Sequence, residues 1–182
     1  MTAVSSDDPQ RGAPRPNDVR PPAVLDRPGV AAPALDEVDR LLLAELFADA
    51  RQPNNALAAK AGIAPSTCLG RVRALRESGI LRGFHADIDP ALVGRPLQAM
   101  IAVRMKGHAR ARLEAFLEDL AGLPGVLNVF LLGGGHDFFV HVAAAGTDGL
   151  NAFVIEHLSS NPDVALTETN LIFQHARATR WS

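Results

Sequence analysis

NNALAAKAGIAPSTCLGRVRALRESGILR, residues 54–82, decides how the rest of the chain is understood. Its first part predicts a short helix from Asn55 to Ala61, with Leu57, Ala58 and Ala61 as apolar contacts and Asn54 placed to cap it. Gly62 supplies a tight turn, and Pro65 opens a second helix in the first turn, where a missing backbone N–H costs nothing. Cys68, Val72 and Leu75 recur at i, i+4 and i+7 with Leu69 beside them, so one face of this helix is apolar. Two helices joined by a glycine-containing turn form the geometry that places the second helix in the DNA major groove. Gly79 ends that helix, and Ile80–Phe84 has the pattern of a short strand. The expected unit is a winged helix-turn-helix.

Upstream, Asp36 is a good N-cap with Asp39 in the first turn, and Val38, Leu42 and Leu46 follow on one stripe. Arg51-Gln52-Pro53 breaks that helix. On the second helix of the pair, Ser66, Thr67, Gly70, Arg71 and Arg73 face away from the apolar stripe. Hydroxyls near a helix N-terminus suit phosphate or base contacts, and arginine reads guanine or clamps phosphate. The candidate DNA contacts are Asn55, Ser66, Thr67, Arg71, Arg73 and Arg76. A solvated face with its arginines paired to Glu77 is the competing reading. Gly70 in mid-helix costs about 1 kcal/mol against alanine. Either a close backbone approach requires it, or the position is tolerant.

The net charge of −2 says little about a nucleic-acid partner until it is divided along the chain. Residues 36–84 carry six acidic and seven basic groups, and residues 85–182 carry ten and seven. Four arginines fall within Pro65–Arg82 against Glu77 alone, so the positive charge is local. Phosphates respond to charge within a Debye length of about 8–10 Å, so this local balance is the relevant one. No run approaches the ~18 apolar residues of a membrane span. The N-terminus shows no export signal, and a single cysteine, Cys68, fits a reducing cytoplasm.

Residues 1–34 hold seven of the thirteen prolines and little apolar clustering, which predicts a disordered tail. The helix-turn-helix domain is expected over 35–84, a hinge linker over 85–96, a second domain over 97–176 and a C-terminal tail over 177–182. In the second domain the period changes. Leu97–Met105 alternates as a strand with one buried face, and Leu113, Phe116, Leu117 and Leu120 lie at helical spacing within Ala109–Ala121. Strands over Val126–Leu132 and Phe138–Ala144, a helix over Asp148–Leu158 and a strand over Val164–Gln174 complete a β-α-β-β-α-β order. Leu120, Pro124 and Val126 recur 38 residues on as Leu158, Pro162 and Val164. Two such halves predict a ferredoxin-like antiparallel sheet with both helices on one face. The other, apolar face is left to a second copy, so a dimer through the sheets is expected.

The stretch Leu35–Leu43, the Asn55–Ala58 helix, Gly62–Thr67, Arg71–Leu81, the Asp89–Gly94 segment and Gly133–Phe138 together resemble the Lrp/AsnC family. The likeness covers roughly residues 35–176. It implies an α+β chain: a winged helix-turn-helix followed by a ferredoxin-like βαββαβ (ACT-like, RAM) domain. It further implies a cytoplasmic transcriptional regulator that binds double-stranded DNA and a small effector, commonly an amino acid, and assembles dimers into octamers. Two departures stand out: Ala64 replaces the serine that caps the recognition helix in the family, and the proline-rich leader lies outside the family pattern.

The turn at Gly133-Gly134-Gly135-His136-Asp137 serves as a hairpin connection. Clustered glycines also expose N–H groups that cradle a carboxylate, and Asp137 could hold an ammonium. The resemblance places effectors near this turn at dimer–dimer contacts. Gly134, Gly135, His136 and Asp137 are therefore candidate effector residues, with Thr167 and Thr169 on the last strand as further members of the same pocket. His136, His141, His157 and His175 lack the paired spacing of a zinc site, and no cofactor or catalytic set is expected. Two other readings stay open: an enzyme of the siroheme decarboxylase type, and an amino-acid sensor that has lost DNA binding.

Overall fold

The computed structural model describes residues 34–176 and 178. The proline-rich tail expected over the first 33 residues and most of the expected C-terminal tail lie outside them. The chain divides into two compact units, with the boundary between Ala86 and Asp87.

The first unit holds α1 (Glu37–Ala48), α2 (Asn54–Ala61) and α3 (Pro65–Glu77). Helix α1 starts in a capping box: Asp36 Oδ1 accepts from the Asp39 N–H at 2.8 Å, and Asp39 Oδ2 accepts from the Asp36 N–H at 3.4 Å. The three helices share one small core. Leu42 and Cys68 are fully buried, Leu46, Leu57 and Ala58 nearly so, and Val38, Ala61, Ile63, Val72 and Leu81 pack around them. Gly62 takes a left-handed conformation (φ 65°) and Gly79 another (φ 73°), which lets the chain leave α2 and α3 sharply. Leu69, expected beside the apolar stripe, is 53% exposed. Its helical position turns it a quarter-turn away from Cys68. Ile80–Phe84 is no strand. After the Gly79 turn the Leu81 N–H bonds back to the Leu75 carbonyl, and Leu81 packs into the helical core, so its backbone is used by the helix end rather than by a ladder.

The second unit is the expected β-α-β-β-α-β module. Its elements are β1 (Leu97–Met105), α4 (Leu113–Ala121), β2 (Val126–Leu131), β3 (Phe138–Ala144), α5 (Thr147–Phe153) and β4 (Val164–Ile172). A 3₁₀ segment, Gly107–Arg112, precedes α4, and a π-helical turn, Val154–Ser159, extends α5, so both expected helices begin or end irregularly. The sheet order is β2-β3-β1-β4, antiparallel throughout.

Ala99, Ile101, Val103, Met105, Phe138, Val140 and Val142 point to the face that carries both helices. Leu113, Phe116, Leu117 and Leu120 of α4 and Leu150 and Phe153 of α5 close over them. Phe116 meets Phe138 edge to face at 5.4 Å between centroids. The two leucines of the 38-residue echo, Leu120 and Leu158, are both buried, and each precedes a turn into a strand. Within the second unit neither α4 nor α5 covers the opposite face, where Phe130, Phe139 and Leu166 stay 48%, 36% and 52% exposed.

Candidate functional site

Cys68, Val72 and Leu75 face the core, so helical geometry turns Ser66, Gly70, Arg73 and Glu77 outward, flanked by Thr67 and Arg76. All of these are exposed, as is Asn55 on α2. Among the described residues Arg73 forms no ion pair, and neither Arg73 nor Arg76 pairs with Glu77. Arg76 instead lies over the Phe84 ring, 5.9 Å from its centroid. A Cβ placed on Gly70 would meet nothing within 4 Å, so no packing inside the unit demands glycine there. Ala64 at the N-cap offers no side-chain bond, and Ser66 does not replace it. The first N–H groups of α3 therefore remain free for an incoming acceptor.

Arg71 differs from Arg73. Its Nη1 donates to Asp36 Oδ2 at 2.7 Å and to Asp39 Oδ1 at 2.8 Å, tying α3 to the first turn of α1. The backbone N–H of Asp39, then the guanidinium, hold the Asp36 carboxyl below its usual range, and the two carboxylates raise Arg71. Arg71 thus helps to fix α3 against α1 within the helical unit. The expected cap at Asn54 is corrected. That residue is the first of α2, Pro53 takes the cap position, and the Asn54 amide donates to the Pro65 carbonyl at 2.8 Å, linking the two helices.

In the second unit the Gly133–Gly135 backbone is exposed and His136 half-buried, its ring 6.1 Å from that of Phe139. Asp137 is 7% exposed. The β1–β3 ladder ends at Val103 and Phe138, and there Asp137 takes over: its N–H bonds to the Val103 carbonyl, and Oδ2 accepts from the Met105 N–H at 2.7 Å. Through Oδ2 the carboxylate thus satisfies a backbone donor of its own domain. Arg104 reaches the turn from β1, its Nε donating to the Gly135 carbonyl at 2.7 Å. Thr167 and Thr169 pair with Val103 and Ile101 on β4, with β1 between them and β3. One chain therefore does not gather them with the turn into one pocket. Among the described residues no histidine, cysteine or carboxylate cluster could hold a metal, and no helix is long and apolar enough to cross a membrane.

Two family models match the chain: the AsnC-type helix-turn-helix domain over residues 35–76 and the Lrp/AsnC ligand binding domain over residues 98–182. The chain belongs to the Lrp/AsnC family. AldR of Mycolicibacterium smegmatis, an HTH-type transcriptional regulator, is 52% identical over 148 residues, 81% of this chain and 86% of the relative. The leucine-responsive regulatory protein of Rhizobium meliloti is 34% identical over 143 residues, 79% of this chain and 92% of its own length. Among solved structures, MtbAldR superposes with a TM-score of 0.72 at 49% identity, covering 80% of this chain and 97% of that one. The L-Met complex of a Neisseria meningitidis transcriptional regulator gives 0.72 at 28% identity, covering 80% and 94%.

This Lrp/AsnC chain thus has the helix-turn-helix followed by a ligand-binding domain with a four-stranded antiparallel sheet, as expected. The outward row of α3 was legible from helical spacing. The Arg71–Asp36–Asp39 triad was not, because its partners are 32 and 35 residues apart in sequence and meet only once α1 crosses α3. The Arg76–Phe84 contact is likewise invisible in a strand pattern over Ile80–Phe84, because it depends on the chain turning back after Gly79.

Proposed function

We infer that the chain is a sequence-specific DNA-binding transcriptional regulator of the cytoplasm whose assembly or DNA binding responds to a small effector, an amino acid. The observation that carries this reading is the outward row of α3. Ser66, Thr67 and Arg73 stand exposed around a bare Gly70, with no intradomain partner for Arg73. The free N–H groups at the α3 start suit a phosphate, while Arg73 and Arg76, with Asn55 on α2, supply base and backbone contacts. Arg71 contributes by fixing α3 against α1.

The open sheet face, with Phe130, Phe139 and Leu166 exposed beside Met100 and Ala102, supports a homodimer that presents two α3 helices to pseudo-palindromic half-sites. Octamer assembly follows the family pattern. The exposed Gly133–Gly135 backbone and His136 supply donors for an effector carboxylate, and Thr167 and Thr169 join that site only across an assembly contact. The Neisseria relative, solved with L-Met, supports an amino acid as the class of effector.

Fluorescence anisotropy with DNA from upstream of the chain's own gene, run with and without each amino acid, tests the reading. The expected result is salt-dependent binding that one or a few amino acids shift. DNA binding no stronger than to a random duplex, unchanged by every amino acid, contradicts it.

A further inference from the structure

At the far end of β3 from the glycine turn, the sheet unit holds a second concavity of about 290 Å³. Val142 and Leu150, both almost fully buried, form its floor, and Val93 and Phe153 add apolar walls. Arg95 stands at its rim. Its guanidinium lies beside the turn into β2. There Gly125 adopts a left-handed conformation (φ 91°), and a Cβ would come within 2.9 Å of both Arg95 Nη1 and the Ala143 carbonyl oxygen. The φ and the backbone contact require glycine, and the Ala143 N–H holds this turn through a 2.8 Å bond to the Gly125 carbonyl. The Arg95 backbone is held by a 2.8 Å bond from its N–H to the Pro90 carbonyl at the start of a 3₁₀ turn, Ala91–Val93. Among the described residues the Arg95 guanidinium has no carboxylate partner and makes no side-chain hydrogen bond.

A guanidinium that is unpaired among the described residues, beside an apolar hollow, selects an anion with an apolar body. The lining contains no carboxylate or other side-chain oxygen, so no counter-charge there receives an ammonium group. We propose that this cleft binds a small apolar monocarboxylate lacking an ammonium, such as a branched-chain 2-oxo acid, with Arg95 holding the carboxylate and Val142, Leu150 and Phe153 enclosing the tail. The site lies at the opposite end of β3 from the effector turn, and it stands whether or not the chain binds DNA.

Calorimetric titration of the full chain with 4-methyl-2-oxopentanoate, leucine and inorganic phosphate tests it. The oxo acid binds, and leucine and phosphate bind this cleft more weakly. Arg95→Gln, an exposed change, weakens the oxo acid at least about ten-fold, the worth of a charge-assisted hydrogen bond. Gly149→Leu fills the cleft and also abolishes binding. The Cβ at Gly149 meets only the Ala144 methyl, at 3.9 Å, and a far-UV circular dichroism spectrum matching wild type establishes the fold of that variant before titration. Absence of oxo-acid binding overturns the proposal, as does affinity unchanged in both variants. Leucine bound as tightly and lost with Arg95→Gln overturns the selection against ammonium. Leucine binding that survives Arg95→Gln and is lost when the Gly133–Gly135 turn is changed belongs to the effector turn and leaves the cleft's own oxo-acid result to decide.

Discussion

The helix-turn-helix unit and the sheet unit treat their most conspicuous charged residues in the same way and for different reasons. In the first, Arg71 of α3 is drawn back onto Asp36 and Asp39 of α1, while Arg73, two residues on, has no ion-pair partner among the described residues and is exposed on the outer face. In the second, Asp137 turns inward to bond the Met105 N–H, while the adjacent Gly133–Gly135 backbone stays exposed. A helical unit with so small a core gains from a surface ion-pair clamp. A sheet edge where the ladder stops needs an acceptor for a buried N–H. The lesson is that the charged residue nearest a candidate site is often the one the fold consumes, and its uncommitted neighbour is the one available to a partner.

The comparison is sharpest at Asp137. Replacing it by alanine leaves the Met105 N–H without an acceptor, and a buried unsatisfied donor costs about 1–3 kcal/mol. The expected result is a lower unfolding midpoint for Asp137→Ala in denaturant titration. Stability equal to wild type would mean that the carboxylate is free for a ligand after all. Next in size is Ala64→Ser. The extended backbone at Ala64 (φ −66°, ψ 145°) suits a capping hydroxyl, and restoring it should stabilise the helical unit by about 1 kcal/mol. An unchanged midpoint would show that the start of α3 is already satisfied.

Gly70→Ala separates the two readings of that glycine. With open space around its Cβ, the substitution should raise stability by up to about 1 kcal/mol. Electrophoretic shifts should at the same time show weaker DNA binding, because the added methyl projects from the outer face of α3. Gain in stability with undiminished DNA affinity would mark the position as merely tolerant.

The smallest effect is a pH dependence of the sheet unit. Strand burial, and then the nearby His175, lower the His141 pKa below its ordinary 6.5; the ring also bonds Gln98 at 3.0 Å and Asn128 at 3.3 Å. Above about pH 6.5 the imidazole is neutral in both folded and unfolded chains. As pH falls through that value the unfolded chain takes up the proton first, so stability declines until the folded ring titrates as well. Thermal melts from pH 7.5 to 5 should show this slope in wild type and a shallower one in His141→Gln.

Much of the architecture was legible because period and position carry it. Alternation over Leu97–Met105 and Phe138–Ala144 matched β1 and β3 to the residue, and Pro65 marked the start of α3. The missing wing strand at Ile80–Phe84 shows where local pattern fails. Leu81 is apolar in either case, and only the bond from its N–H back to the Leu75 carbonyl, with its packing in the helical core, shows that it closes the end of α3. The same holds for Arg71 and Asp137. Their chemistry was visible in the sequence, but their partners were not, since every one of those bonds spans 32 or more residues.

The most direct measurement sets Arg71→Ala beside Arg73→Ala, recording the thermal midpoint and the affinity for the chain's own upstream DNA for each. Arg71→Ala should lower the midpoint, and only slightly because the pairs are partly exposed. Arg73→Ala should leave the midpoint unchanged and reduce DNA affinity about ten-fold, the size of a lost arginine contact. An Arg73→Ala chain that binds DNA like wild type, beside an Arg71→Ala chain that melts like wild type and loses DNA, would contradict the division of labour within α3.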